Sequence, residues 1–183
     1  LSRYPRDSYY LATKLPGTYM RDEKITPQEL FNGQLEKCGV DYFDFYLLHA
    51  VNREVMKTFE EYKSYEYLSE QKRLGKIKHL GFSYHGDLEF FLELIDKYNW
   101  DFVQLQINYL DWESPALRAK ECYEIARKHG KEIIVMEPVK GGTLVKLPSE
   151  AEPYVSENFS SSPASMAIRF AEGLAGVKYV LSG

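Results

Sequence analysis

The sequence predicts an α/β fold of the (β/α)8 TIM barrel type, incomplete, with about six strand–helix units present. Three observations predict it. Short apolar runs of strand length alternate with helical stretches along the whole chain, and right-handed crossovers then give an open doubly wound sheet or a closed barrel. No Gly-x-Gly-x-x-Gly follows any strand, which counts against the dinucleotide-binding open sheet. Several strands end instead in a polar side chain, namely Lys14, His49, Ser83, Gln104 and Glu137, and barrels place their chemistry at the carboxyl ends of strands. A closed barrel takes eight strands and typically about 250 residues. The 183 residues are therefore read as a single partial barrel domain spanning 1–183.

The elements follow in order. Leu1 to Asp7 is polar with no helix start. Tyr9 to Thr13 reads as a short buried strand leading to Lys14 and a turn at Leu15-Pro16-Gly17. Thr26-Pro27-Gln28-Glu29 has the form of a capping box with Pro at the first helical position. The helix behind it puts Phe31, Leu35 and Cys38 on one face and stops at Gly39. The run from Asp41 to His49 is apolar and aromatic throughout its centre, as a strand buried on both faces should be, and ends in a histidine. A helical stretch from about Val55 to Leu74 stops at Gly75, and Lys78 to Phe82 is a strand ending at Ser83. Asp87 is an N-cap for a helix with Leu88, Phe91, Leu92, Ile95 and Tyr98 at helical spacing. Asp101 to Gln106 is a strand, and Ser114-Pro115 opens a helix that ends at Gly130. Glu132 to Met136 is a strand with the exit loop Glu137 to Gly142. Ser149 to Ser161 is read as an exposed connection, Ser162-Pro163 as the start of a last helix, and Val177 to Leu181 as a final strand.

The totals narrow the partners. Hydrophobic residues make up 44% and charged residues 27%, ordinary for a globular protein, while 15 Tyr and 10 Phe predict an aromatic-rich core. A net charge of −4 gives no electrostatic footprint for nucleic acid or an anionic membrane. No apolar run approaches the roughly 20 residues of a membrane span, and no signal-like segment opens the chain. Cys38 and Cys122 each fall in a helical stretch and read as core residues of a reducing compartment, with one disulfide as the alternative. The cytoplasm is the expected location.

Five motifs then bring a family into view. Leu11-Ala12-Thr13-Lys14, Phe45 to His49, Gly75 to Ser83, Gln104-Leu105-Gln106 and Met136-Glu137-Pro138 occur in an order and spacing that resembles the aldo-keto reductases, from their third barrel strand to their eighth. The forms Gly81 to Gly86 and Met136 to Gly142 look like a bacterial subgroup whose longer members carry an iron–sulfur segment; the cysteine cluster for one is absent here. The resemblance implies reduction of an aldehyde or ketone by hydride from NADPH or NADH, with NADPH favoured. It implies that Lys14 lowers the pKa of a catalytic tyrosine, and that His49 orients the substrate carbonyl. Ser83 and Gln104 match residues that bond the nicotinamide carboxamide, and Met136 or Glu137 stands where an aromatic often stacks on that ring. The family's tyrosine and aspartate would lie upstream of Leu1, and the loop that grips the cofactor's 2′-phosphate would start beyond Gly183. The expected Asn beside the carboxamide serine is Tyr84. The chain is accordingly expected to be an incomplete or inactive portion of a reductase, with open edges that invite self-association.

Plainer readings stand beside these. His49 could bond backbone only, Lys14 could be a solvated turn residue, and Ser83 and Gln104 could merely satisfy local backbone. Tyr84 and His85 line a substrate mouth or are exposed loop aromatics. Lys140-Gly141-Gly142 approaches a phosphate through its backbone amides or is a simple turn. Two other function classes remain open: a non-catalytic nicotinamide-binding regulatory barrel, and a lyase that forms a Schiff base on Lys14.

Overall fold

A computed structural model describes residues 3–151, 153 and 161–181. Six strands alternate with helices: β1 (Ala12–Pro16), α1 (Gly17–Glu23), α2 (Pro27–Cys38), β2 (Phe43–Val51), α3 (Arg53–Glu61), α4 (Ser64–Arg73), β3 (Ile77–Tyr84), α5 (Leu88–Lys97), β4 (Phe102–Gln106), α6 (Ala119–Lys128), β5 (Glu132–Met136), α7 (Pro163–Glu172) and β6 (Val177–Val180). Short 3-10 turns lie at Arg6–Ser8 and Thr143–Val145. The strands follow one another in chain order, and β1–β2, β2–β3 and β5–β6 pair in parallel. The chain divides into two compact units, Leu1–Val103 and Gln104–Gly183.

In the first unit the helix signals act as read. Thr26 accepts from the Glu29 amide while the Glu29 carboxylate accepts from Thr26, and the helix ends on Gly39 in the left-handed region. Asp87 caps α5 by accepting from the Phe90 amide at 2.8 Å. The predicted aromatic core is present. Phe31 of α2 meets Phe43, Tyr46 and Tyr67, and Phe82 packs against Trp100, with all but Tyr67 fully or almost fully buried. Residues Phe43 to Leu48 of β2 are buried without interruption, as a strand covered on both faces requires.

Several boundaries differ for physical reasons. The first strand starts at Ala12, and Tyr10 is exposed; Lys14 therefore sits inside β1, while Gly17 opens α1 instead of completing a turn. The stretch read as one helix from Val55 to Leu74 is two, because Lys63 adopts φ 50° and breaks the ladder. Leu92 faces solvent on α5, where Phe90 and Leu94 are buried instead. Ser114-Pro115 does not open a helix: turns run to Arg118, whose φ of 50° precedes α6. Charged pairs also link α3 to α5 and its N-cap: Arg53 meets Asp87 and Glu93, and Glu60 meets Lys97.

In the second unit β5 and its exit loop fall where expected, and α7 begins at Pro163 with Ser162 accepting from the Ser165 amide. Its core includes Ile107, Ile133, Val135, Cys122, Ala126 and Ala171. The exposed connection read over Ser149 to Ser161 falls largely outside the described residues. Among the described residues no helix is long and apolar enough to cross a membrane.

Candidate active site

In the first unit, strand register decides which side chains share a face. Lys14 pairs with Leu47 and Pro16 with His49 in the parallel ladder, and Leu47 pairs in turn with Gly81. Paired residues point to the same side and alternate along each strand. Lys14 in the middle of β1 and His49 and Ser83 near the carboxyl ends of β2 and β3 therefore lie on one face of the sheet, while Leu15, Leu48 and Phe82 take the other face.

His49 stands at an irregularity. The β2–β3 register shifts between Leu48 and Val51, so His49 and Ala50 together oppose Ser83. Such a bulge re-aims a side chain and leaves a backbone group unpaired. Ala50 takes a left-handed φ of 53°, and its amide donates to Ser83 Oγ at 2.8 Å. Ser83, 1% exposed, thus supports the bulge. A hydroxyl that accepts one bond keeps its own hydrogen to donate. The strand then resumes, with the His85 amide donating to the Val51 carbonyl at 3.0 Å.

Burial, then the positive charge of Lys14, then that of His85, hold the His49 imidazole below its ordinary pKa. It is neutral at pH 7 and can offer one ring N–H as a donor. The backbone at Lys14 is braced from α2. Gln34 Nε2 donates to the Lys14 carbonyl at 2.9 Å, and Gln34 Oε1 accepts from the Tyr46 hydroxyl at 2.8 Å. Burial raises the Tyr46 phenol and keeps it protonated for that role. Gln34 and Tyr46 are invisible as site residues in the sequence, where they read only as helix surface and strand core.

Tyr84 is placed differently from its reading as a residue of the substrate mouth. It is 5% exposed, packs on Phe91 with ring centroids 4.9 Å apart, and donates its hydroxyl to the Asp87 carbonyl. It belongs to the helix-facing core and to the start of α5.

In the second unit, Gln104 on β4 is 4% exposed and donates from Nε2 to Met136 Sδ at 3.1 Å. Thioether sulfur is a weak acceptor, so the amide is only weakly satisfied. Glu137 is exposed, follows β5 directly and takes φ 56°. A polar network that the sequence reading did not single out lies beside these three. Asp111, 5% exposed, accepts from Asn108 Nδ2 at 3.0 Å and Gln106 Nε2 at 3.2 Å, and pairs with the Lys140 ammonium. Asn108, fully buried, also accepts from the Asp111 amide and donates to the Glu137 carbonyl at 3.3 Å. Burial opposes ionisation of Asp111, but the bonds from Lys140, Asn108 and Gln106 win and hold its carboxyl below the usual range. The one signal in the sequence is the polar spacing Gln104, Gln106, Asn108, which continues the strand alternation past its end. The Lys140 and Gly142 amides donate to Glu137 and Val139 carbonyls, which makes the Pro138 to Gly142 segment a bonded turn.

Among the described residues no group of three His, Cys, Asp or Glu is arranged to hold a metal ion, and Cys38 and Cys122 are free thiols.

The sequence profile described as the Aldo/keto reductase family matches residues 2–176. An aldo-keto reductase of Mycolicibacterium smegmatis is 26% identical over 172 aligned positions, an alignment that covers 92% of this chain and 57% of that protein. The NADPH-dependent alpha-keto amide reductase of Saccharomyces cerevisiae is 28% identical over 187 aligned positions, gaps included, an alignment that covers 93% of this chain and 55% of that protein. The chain thus spans little more than half the length of these relatives. Among solved structures, the holo form of an aldo-keto reductase of Bacillus halodurans superposes with a TM-score of 0.73 at 21% identity, covering 97% of this chain and 62% of that one. An aldo/keto reductase of Klebsiella pneumoniae in complex with NADP and acetate gives a TM-score of 0.70 at 15% identity, over 99% and 62% of the two chains. The six strands and their helices match part of the (β/α)8 barrel of those structures. A family profile that runs over almost the entire sequence, on a fold that superposes on solved members, places this chain in the aldo/keto reductase family.

Proposed function

We propose that the protein reduces an aldehyde or ketone with a reduced nicotinamide cofactor, and that Lys14 and His49 belong to its catalytic site. When bound, the cofactor supplies the hydride. The chain covers little more than half of its curated relatives, so the activity proposed is that of the whole protein. The observation that carries the reading is the common face of Lys14, His49 and Ser83 on three successive strands. A neutral His49 presents an N–H toward a carbonyl oxygen and steadies the charge that develops there. The Lys14 ammonium stabilises a nearby phenolate and so brings a tyrosine hydroxyl toward the working range of a proton donor.

Ser83 and Gln104 each have the hydrogen-bonding capacity that a carboxamide partner needs. Ser83 retains a hydroxyl hydrogen after accepting from Ala50, and Gln104 holds a buried amide whose partner is only a thioether. Both can take a stronger partner without breaking a strong bond. Met136 and Glu137 would adjoin the nicotinamide ring. NADPH is favoured over NADH, in keeping with the NADPH-dependent yeast relative and the NADP-bound Klebsiella pneumoniae structure. The free thiols fit a reducing compartment such as the cytoplasm.

The test is a fluorescence titration of the intact protein with NADPH and NADH, followed by a carbonyl panel. His49→Ala and Lys14→Ala should each lower kcat/KM by about a hundredfold or more. Undiminished kcat/KM in both variants refutes the assignment.

A further inference from the structure

The proposed mechanism leaves the buried carboxylate of Asp111 unused. It sits just past β4 and holds Lys140, 29 positions away in sequence and beyond β5. The turn it reaches is unusual. Glu137 and Lys140 both take left-handed φ values, 56° and 50°, although neither is glycine, and Gly141 and Gly142 continue in that region. Non-glycine residues stay in such conformations only where their surroundings over-determine them. Two contacts do so here. Asn108 Nδ2 holds the Glu137 carbonyl at one end of the turn, and Asp111 pairs with Lys140 at the other. Asn108 and Asp111 also bond each other, so the two ends are fastened to one rigid block at the exit of β4. Met136 immediately precedes the turn and touches Gln104.

We propose that Asp111 is a positioning residue: through Lys140 and Asn108 it latches the strained turn after β5, and so sets Met136 and Glu137 against Gln104 on the nicotinamide side of the site. This rests on the cofactor reading above. Asp111 touches neither cofactor nor substrate in this role; it acts through the turn. The charge matters as well as the shape. An uncharged amide of the same size keeps the bonds from Asn108 and Gln106 in part, but it gives up the ion pair that holds Lys140.

The experiment compares Asp111→Asn, Lys140→Met, the double variant and Lys140→Arg in the intact protein. Three quantities are read: the NADPH dissociation constant, KM for a carbonyl substrate, and amide hydrogen exchange across residues 137–143. Asp111→Asn should raise the NADPH dissociation constant by about tenfold, leave carbonyl KM unchanged, and speed exchange at Lys140, Gly142 and Thr143. Lys140→Met should do the same from the solvent side of the ion pair, Lys140→Arg should restore binding, and the double variant should be no worse than the poorer single one. If Asp111→Asn fails to fold, Lys140→Met decides, since Lys140 is only partly buried. Wild-type NADPH affinity in the variants overturns the inference, whether or not the turn exchanges faster. Absence of cofactor binding by the wild-type protein overturns the function reading and this inference together, a result distinct from the first.

Discussion

Replacement of Gly81 by Ala is expected to be among the most damaging single-methyl changes in the first unit. A Cβ at this position would stand 2.5 Å from the Phe102 carbonyl oxygen and 2.7 Å from two carbons of the Phe102 ring. The oxygen contact is about 0.9 Å short of ordinary van der Waals distance. It involves backbone, which has no rotamer to escape into, and the ring beside it is fully buried and packed edge-on against Phe45. Overpacking of this kind costs typically 1–3 kcal/mol, and the fixed backbone places Gly81→Ala at about 3 kcal/mol, roughly a hundredfold in the ratio of folded to unfolded protein. Because Ser83 is two residues further along the same strand, relief of the clash would also draw its hydroxyl away from the Ala50 amide. Urea unfolding followed by tryptophan fluorescence should show a lower midpoint with an unchanged slope. Gly33→Ala is the control: it lies in α2 with nothing within 4 Å, and it should be neutral or stabilising by up to about 1 kcal/mol. A loss below about 1 kcal/mol for Gly81→Ala would refute the close approach on which the reasoning depends.

Two further outcomes follow from the first unit. Thr26→Ala removes the side-chain half of the capping box on α2 and should lower stability by about 1 kcal/mol, read from the urea midpoint; a change within error would mean that the exposed cap is replaced by water. The depressed pKa of His49 predicts a pH dependence with a definite sign. The unfolded chain takes up a proton at the ordinary histidine value of about 6.5 while the folded protein resists. This contribution is fully present above about pH 6.5 and is lost as pH falls from there through the folded value. His49→Gln should flatten that part of the stability–pH curve, and Lys14→Met should narrow it by removing one of the repelling charges. An unchanged curve in His49→Gln would assign the titration to another group.

Much of the architecture was legible because its signals are local. Thr26 and Glu29 lie three residues apart and cap the same helix whatever surrounds them, as does Asp87 with Phe90. Strand β5 and the start of α7 are legible for the same reason, since a β-branched run or a Ser-Pro pair marks them without reference to the rest. The errors are places where distant packing overrides local propensity. Lys63 breaks a helix that composition alone would continue, and Leu92 gives its expected place in the core to Phe90 and Leu94. Tyr84 read as a loop aromatic, yet it is drawn into the cluster around Phe91 because strand β3 continues through it.

The candidate site divides along the same line. Lys14, His49, Ser83 and Gln104 could be named from residue type, strand ends and motif order, because those properties belong to single positions in the sequence. Their relation to one another could not. The common face of Lys14 and His49 is a consequence of register, the support of the His49–Ala50 bulge by Ser83 is a consequence of an inserted residue, and both exist only once strands pair. The link between Asp111 and Lys140 is a further step removed, joining residues 29 apart whose types alone describe a surface acid and a loop base. The alternation of strands and helices and the chemical kinds near the strand ends are written in residue order. Which of those groups meet depends on the folded chain, because hydrogen-bond and charge partners are chosen by distance in space and not by distance along the sequence.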